Sequence, residues 1–374
     1  MAFIEFLPLG QRAPQTLQTS SDVLEQLWQQ LVMTRFLGAQ TGYANTVEKS
    51  ATFIDQAKIY FLDALKSNWR SAGLLYYYSF LNLTKAVLVH KSKSSYEELT
   101  TASTLHGIHS APQTIQSILD FKIKIDPPSV GGRQNIFSHF YEAVTNSHWP
   151  HPKTITISLE NVIGHCLDVA AESKELFGVK CSTAHCQSLL RVVGNEVWVD
   201  YLFIGDSEKA VATSIENCRL ESIPEFSEND KTDWLVSHGL TTQALHMAVI
   251  LQGSKRQFVD DETYKKVLAE TAAEATETLT PYAFPSAFEA KPPVWLFVPE
   301  IELSDKTMQW HPLLADYLFA FALSTILRYQ PHLLEPGTPS NFLAEAWCSQ
   351  SAATLSRHFL MELTQPPKRL QRLG

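Results

Sequence analysis

The sequence predicts a mainly helical fold: a helical body built from both ends of the chain, with a smaller α+β insertion in the middle. Three observations predict it. The chain is charge-poor, with 18% charged and 45% hydrophobic residues, against an average charged content of about 25%. Long apolar runs at helical spacing stand near both ends. The middle alone carries a hairpin signature and most of the acidic charge.

The first third reads as helix. Ser21-Asp22 can cap a helix whose apolar positions Leu24, Leu27, Trp28, Leu31 and Val32 recur at three- and four-residue spacing. Phe53, Ala57, Tyr60, Phe61, Ala64 and Leu65 repeat that spacing. The stretch Ala72 to His90 is apolar on nearly all sides, which marks a helix surrounded by other elements. Its Tyr and β-branched content would also suit a strand, but strands rarely exceed about ten residues. Asn82 and Lys85 lie one turn apart on this helix, so a buried Lys there must meet an acid or face a polar cavity.

Leu105-His106-Gly107-Ile108-His109 falls in an irregular segment, and Gly131-Gly132 is a strong breaker. Ile155 to Ser158 reads as a short strand. Glu160 to Phe177 reads as a helix capped by Ser158 and stopped by Gly178. Leu189–Val193 and Glu196–Tyr201 flank Gly194-Asn195, a hairpin signal. Asp261 to Leu279 has an amphipathic stripe, and Lys291 to Pro299 suggests another strand. Pro312 opens a helix that ends before Pro331, and Asn341 to Leu363, with Ser340 as cap, gives the final one.

The expected division is an N-terminal helical part over residues 1–180, an acidic α+β insertion over 181–310, and C-terminal helices over 311–374 that pack on the first part. Charge follows this division. Residues 1–150 carry 12 Lys/Arg against 11 Asp/Glu, residues 151–310 carry 13 against 24, and residues 311–374 carry 5 against 4. An acidic middle disfavours that surface as a broad nucleic-acid platform. The C-terminal part is too apolar to stand alone in water, and burial against the N-terminal helices at about 25 cal/mol per Å² resolves this.

The N-terminal stretch has no basic region followed by a long apolar core, so a reducing cytoplasm is expected, with the five Cys as free thiols. Neither long apolar run is a membrane span, since Asn82, Lys85 and Asp316 are costly in lipid. His165, Cys166, Cys181, His185 and Cys186 crowd together but offer no CxxC pair. No metal and no cofactor is expected. Walker A, GxGxxG, GxSxG and HExxH motifs are missing, which lowers the prior for the corresponding enzyme classes.

The run Tyr76-Tyr77-Tyr78-Ser79-Phe80-Leu81-Asn82-Leu83-Thr84-Lys85-Ala86, followed by Leu105-His106-Gly107, resembles bacterial YaaC-like proteins. So does Tyr317 to Pro331. The resemblance touches both ends and implies a fold grouping, with no established activity. A second likeness is to HEPN helical domains, which carry a Tyr/Leu-rich helix of the form seen at Tyr76 to Leu88. Their ribonuclease members use an Arg followed four to six residues later by His. Arg133-Gln134-Asn135-Ile136-Phe137-Ser138-His139 has that spacing, although Gly131-Gly132 stands where the pattern wants helix.

Two functions follow as expectations. The first is a non-catalytic interaction or regulatory module, working with a protein partner or as a homodimer, with Asn82, Lys85 and Arg328 as binding residues. The second is a metal-independent ribonuclease of toxin or defence type acting on RNA. It would use Arg133 to hold a phosphate and His139 to move a proton, or a site assembled from His106 and Arg328.

Overall fold

The computed structural model describes most of residues 44–231, 248–279 and 294–351, together with Trp28, Phe284, Pro285, Phe359 and Leu363. The fold is mainly helical. Among the described residues no helix is long and apolar enough to cross a membrane. The chain divides into two compact units, one holding Ser182–Pro299 and the other holding Thr19–Cys181 with Glu300–Gly374.

In the second of these units, helix α1 (Ala44–Lys66) and helix α2 (Trp69–Lys91) form an antiparallel pair. The sequence places its helix start nearer Phe53; the observed one lies a few turns earlier. The helix expected after Ser21 lies outside the described residues except for Trp28, which is helical, buried and packed on Phe61 at 5.3 Å between rings. Helix α2 is buried along most of its circumference, as its apolar run demands.

Helix α7 (Pro312–Tyr329) packs on the other side of α2. Its start is set by His311, whose ring accepts from the Leu313 amide, and by Pro312 at a position where no amide is needed. Residues Leu323 and Leu327 lie against Gly73, while Tyr317 and Phe321 contact the ring of Tyr77. The two helices therefore run antiparallel. A side chain at Gly73 would stand 2.7 Å from Leu327 Cδ1 and 3.2 Å from Leu323 Cγ. Gly73→Val is expected to lose about 1–3 kcal/mol by overpacking, read as a drop in denaturation midpoint. An unchanged midpoint would show that the helices separate freely.

Trp347 closes this core. Its ring meets Tyr76, Phe80 and Phe319 edge-on, and its indole N–H donates to the buried carboxylate of Asp316 at 3.3 Å. Helix α8 (Pro339–Ala346) is capped by Thr338, whose hydroxyl accepts from the Asn341 amide, and not by Ser340. Pro339 takes the first helical position, which moves the cap one residue earlier and leaves Ser340 buried inside the first turn. The α-helix passes into a π-helical turn over Trp347–Ser351; most of the remaining stretch to Leu363 lies outside the described residues.

Between α2 and α7 in sequence comes a small mixed region. Strands β1 (Ile108–Ser110), β2 (Lys122–Ile125) and β4 (Ile155–Ser158) form an antiparallel sheet in that order. The short strand β3 (Arg133–Asn135) pairs in parallel with Thr104–Leu105 and runs into helix α3 (Ile136–Thr145). The single helix expected over Glu160–Phe177 is two short ones, α4 over Leu159–Ile163 and another over Ala170–Phe177. Ser158 stands at the first N-cap but makes no capping bond, while Gly178, at φ 67°, ends the second as expected.

In the other unit, strands β5 (Ala184–Val193) and β6 (Glu196–Gly205) form the expected hairpin around Gly194-Asn195, longer at both outer ends than the sequence indicates. The sheet continues to β7 (Ala248–Gln257) on one side, and to β8 (Val294–Phe297) and Phe284–Pro285 on the other. Helices α5 (Glu208–Asn217) and α6 (Asp261–Leu279) cover one face, over Val197, Val199, Tyr201 and Phe203. The period of two on β6 is what delivers these residues to one side.

Candidate functional site

The site is built where α2, α7 and the segment after Thr104 meet. That segment is fixed by its backbone. Gly107 adopts φ +73°, a conformation open to glycine, and a Cβ there would stand 2.6 Å from the Cβ of Asn135. The carbonyl of His106 accepts from the Phe137 amide at 3.1 Å, and that of Gly107 from the Asp126 amide at 2.9 Å. Asn135 is itself pinned, since its side chain donates to the Pro127 carbonyl at 2.6 Å. These bonds hold His106 at the start of α3.

The imidazole of His106 then meets Tyr77 from α2. The Tyr77 hydroxyl and His106 Nδ1 lie 2.7 Å apart. His106 keeps a solvent-facing edge while its Nδ1 side packs on the helix. Burial of that side, with the Lys85 cation nearby, lowers the imidazole's proton affinity below its ordinary value, so the neutral ring is favoured. Burial likewise holds the Tyr77 phenol protonated. Tyr317 from α7 acts on it in the opposite sense through a side-chain hydrogen-bonding interaction, and the Arg328 cation is close enough to act the same way more weakly. Tyr317 is fully enclosed, and its hydroxyl has no hydrogen bond of good geometry among the described residues. Tyr77 is the polar group that bears on it.

Lys85 is half-buried, and desolvation lowers its proton affinity. Its ammonium stands 5.5 Å from the centre of the Phe53 ring. Among the described residues it has no carboxylate partner. Asp316, an acid of the C-terminal helices, accepts from Trp347. Arg328, at the exposed end of α7, donates to its own helix at the Ser324 carbonyl and lies over the Tyr329 ring, again with no carboxylate among the described residues. Asn82, one turn before Lys85, donates to the Tyr78 carbonyl of its own helix at 2.8 Å.

The electrostatics thus relate Lys85 to His106, and Arg328 to Tyr77, the phenol bonded to His106. Asn82 is tied back locally. Arg133 sits exposed on β3, outside any helix. His139 is on α3, half-buried, with Nδ1 3.6 Å from Glu142 Oε2. No hydrogen bond or ion pair joins Arg133 to His139 among the described residues. Sequence reasoning missed Tyr77 and Tyr317, which read as core aromatics. The available signal was that a buried Tyr hydroxyl needs a partner.

Two cations with no carboxylate partner among the described residues, beside a solvent-facing imidazole whose proton affinity is lowered, can hold a negatively charged group. The fold and this cluster define a mainly helical protein with a candidate anion-recognition face. A family model for YaaC-like proteins matches residues 15–363, and the chain belongs to that family. No curated protein and no solved structure matches it.

Proposed function

We propose that this YaaC-like protein is a non-catalytic interaction or regulatory module that recognises a negatively charged group at the face formed by Tyr77, Lys85, His106 and Arg328. In this reading the helical body from both chain ends carries the site, and the acidic 181–310 stretch is an insertion. The observation that carries it is the pair of cations, Lys85 and Arg328, without a carboxylate among the described residues, set around an imidazole that reaches solvent. A desolvated ammonium with no counter-charge is costly to keep, and a bound anion removes the cost.

The alternative, an HEPN-like ribonuclease, needs an imidazole that takes and returns a proton beside a bound phosphate. No hydrogen bond or ion pair joins Arg133 to His139 among the described residues, and the neutral state favoured at His106 comes with its Nδ1 already engaged by Tyr77.

Two measurements test the proposal together. Thermal unfolding in graded sodium sulfate is compared between the wild type and a Lys85→Met/Arg328→Met variant. Sulfate strengthens most folded proteins by exclusion, so the informative quantity is the difference. The wild type is expected to gain an extra increment that saturates, about 2.7 kcal/mol at a hundredfold excess over the dissociation constant, and the variant to lack it. Total RNA incubated with the protein is expected to stay intact. Parallel sulfate responses in both proteins, or RNA cleavage that His106→Asn abolishes, would overturn the proposal.

A further inference from the structure

We propose that the solvent face of α1 is the contact surface of a two-fold dimer, in which α1 lies antiparallel on the α1 of a second copy of this chain. The contact uses none of Tyr77, Lys85, His106 or Arg328, so it stands apart from the anion-recognition reading.

Helix α1 carries two apolar faces where packing in its own unit needs one. Phe53, Ile54, Ala57, Phe61 and Ala64 are buried and form the inner face. On the other side Ile59 is 56% exposed, and Leu62, three residues on, is half-buried. Asp55 stands one turn before Ile59 and Lys66 one turn after Leu62, and both are exposed. With 3.6 residues per turn, these four side chains fall within about 60° of one another around the helix. Leu65, 47% exposed, borders the stripe on the side of Lys58, and Asp63 borders it on the other. A lone exposed isoleucine needs no account. An apolar pair at the spacing of a coiled-coil seam, closed at its two ends by opposite charges, is a surface shaped for another helix.

That stripe is complementary to itself in one orientation. The midpoint between Asp55 and Lys66 is also the midpoint between Ile59 and Leu62, and it falls between Tyr60 and Phe61. A two-fold axis through this point sets Ile59 against the partner's Leu62 and Asp55 against the partner's Lys66, and symmetry repeats both contacts. Four apolar side chains then leave water at the centre, and two ion pairs close the ends. A parallel pair would set Asp55 against Asp55 and Lys66 against Lys66, which like-charge repulsion opposes. An unrelated partner would have to supply the same spacing with the inverse order of charge, whereas a second copy already carries both. One pair of helices covers less than a standard interface of about 1,600 Å², so a dissociation constant on the order of 10 μM is expected.

Sedimentation equilibrium of the full chain, over a concentration series spanning that constant, tests the contact. The wild type is expected to pass from monomer to dimer. Ile59→Glu places a charge at the centre of the contact twice over and is expected to weaken the dimer at least about a hundredfold. Its denaturation midpoint and its sulfate response are expected to stay as in the wild type, because the side chain lies outside the core. Asp55→Lys and Lys66→Glu are each expected to weaken self-association about tenfold, since both symmetric ion pairs become like-charge contacts. Mixed in equal amounts, these two variants are expected to associate again, because the basic stripe of one then meets the acidic stripe of the other. Direction is read separately: Asp55→Cys and Lys66→Cys, mixed under mild oxidation, are expected to crosslink with each other above the wild-type background, and neither with itself. A wild type that stays monomeric, a dimer that Ile59→Glu leaves intact, or a charge-variant mixture that fails to associate overturns the proposal and leaves anion recognition standing. Crosslinks between like variants overturn the antiparallel register.

Discussion

Gly107→Ala is expected to abolish anion binding and to destabilise the helical unit by about 2–4 kcal/mol. Two effects add. The backbone at Gly107 has φ +73°, where an L side chain costs about 1 kcal/mol or more. The new methyl would also stand 2.6 Å from the Cβ of Asn135, a contact that cannot persist. Asn135 cannot give way cheaply. Its amide donates to the Pro128 carbonyl at 2.9 Å, its side chain to Pro127 at 2.6 Å, and the residue is fully buried. The segment that must move is the one carrying His106, so the Tyr77 bond at 2.7 Å breaks with it. Gly131→Ala supplies the control. Gly131 has φ +58° but open space around its Cβ position, so only the backbone cost of about 1 kcal/mol applies and anion binding persists. Chemical denaturation and a sulfate titration on both variants read the difference. Equal losses would show that the contact with Asn135 carries no strain.

Much of the helical architecture was legible because its signals are local. The apolar run of α2 and the Pro312 that opens α7 each name an element without tertiary information. The hairpin at Gly194-Asn195 was legible for the same reason. The two short helices over Glu160–Phe177 were not. The apolar pattern continues through Gly164 and Cys166, and only the local backbone turn there, with the His165 and Cys166 amides bonded to Val162 and Ile163, breaks it. The polar residues divide in a different way. Lys85 stands out in an apolar helix because its charge is expensive there. Tyr77 does not, because a phenol is at home among Phe and Leu until its hydroxyl is traced to a partner 29 residues on. The RxxxxxH spacing at Arg133 counts residues and not geometry, and the change from strand to helix at Ile136 sends the two side chains to different surroundings.

In the sheet unit, Arg191→Met is expected to cost about 3–5 kcal/mol. Asp200 is fully buried, and the Arg191 guanidinium meets it with two bonds, Nε to Oδ2 at 2.7 Å and Nη2 to Oδ1 at 3.2 Å. The geometry arises from the strands. Arg191 sits opposite Trp198 in the β5–β6 register, and Asp200 follows two residues later on the same face. The guanidinium lies between two rings, 5.4 Å from Trp198 and 5.8 Å from Phe226. These faces remove water from the ion pair and strengthen it. Removing the arginine takes both guanidinium bonds from a carboxylate that stays buried on the strand face it shares with Leu202. The source of the penalty is a buried carboxylate that has lost its bidentate cation. The reasoning predicts an asymmetry that distinguishes it from simple loss of a contact. An Arg191→Met/Asp200→Leu double variant is expected to recover most of the loss, because apolar replacements of similar size often match or exceed a buried pair. A double variant as unstable as the single one would place the energy in the ring stacking, where Lys255 already lies 4.8 Å from the Trp198 ring, and Trp198→Leu would then reproduce the loss.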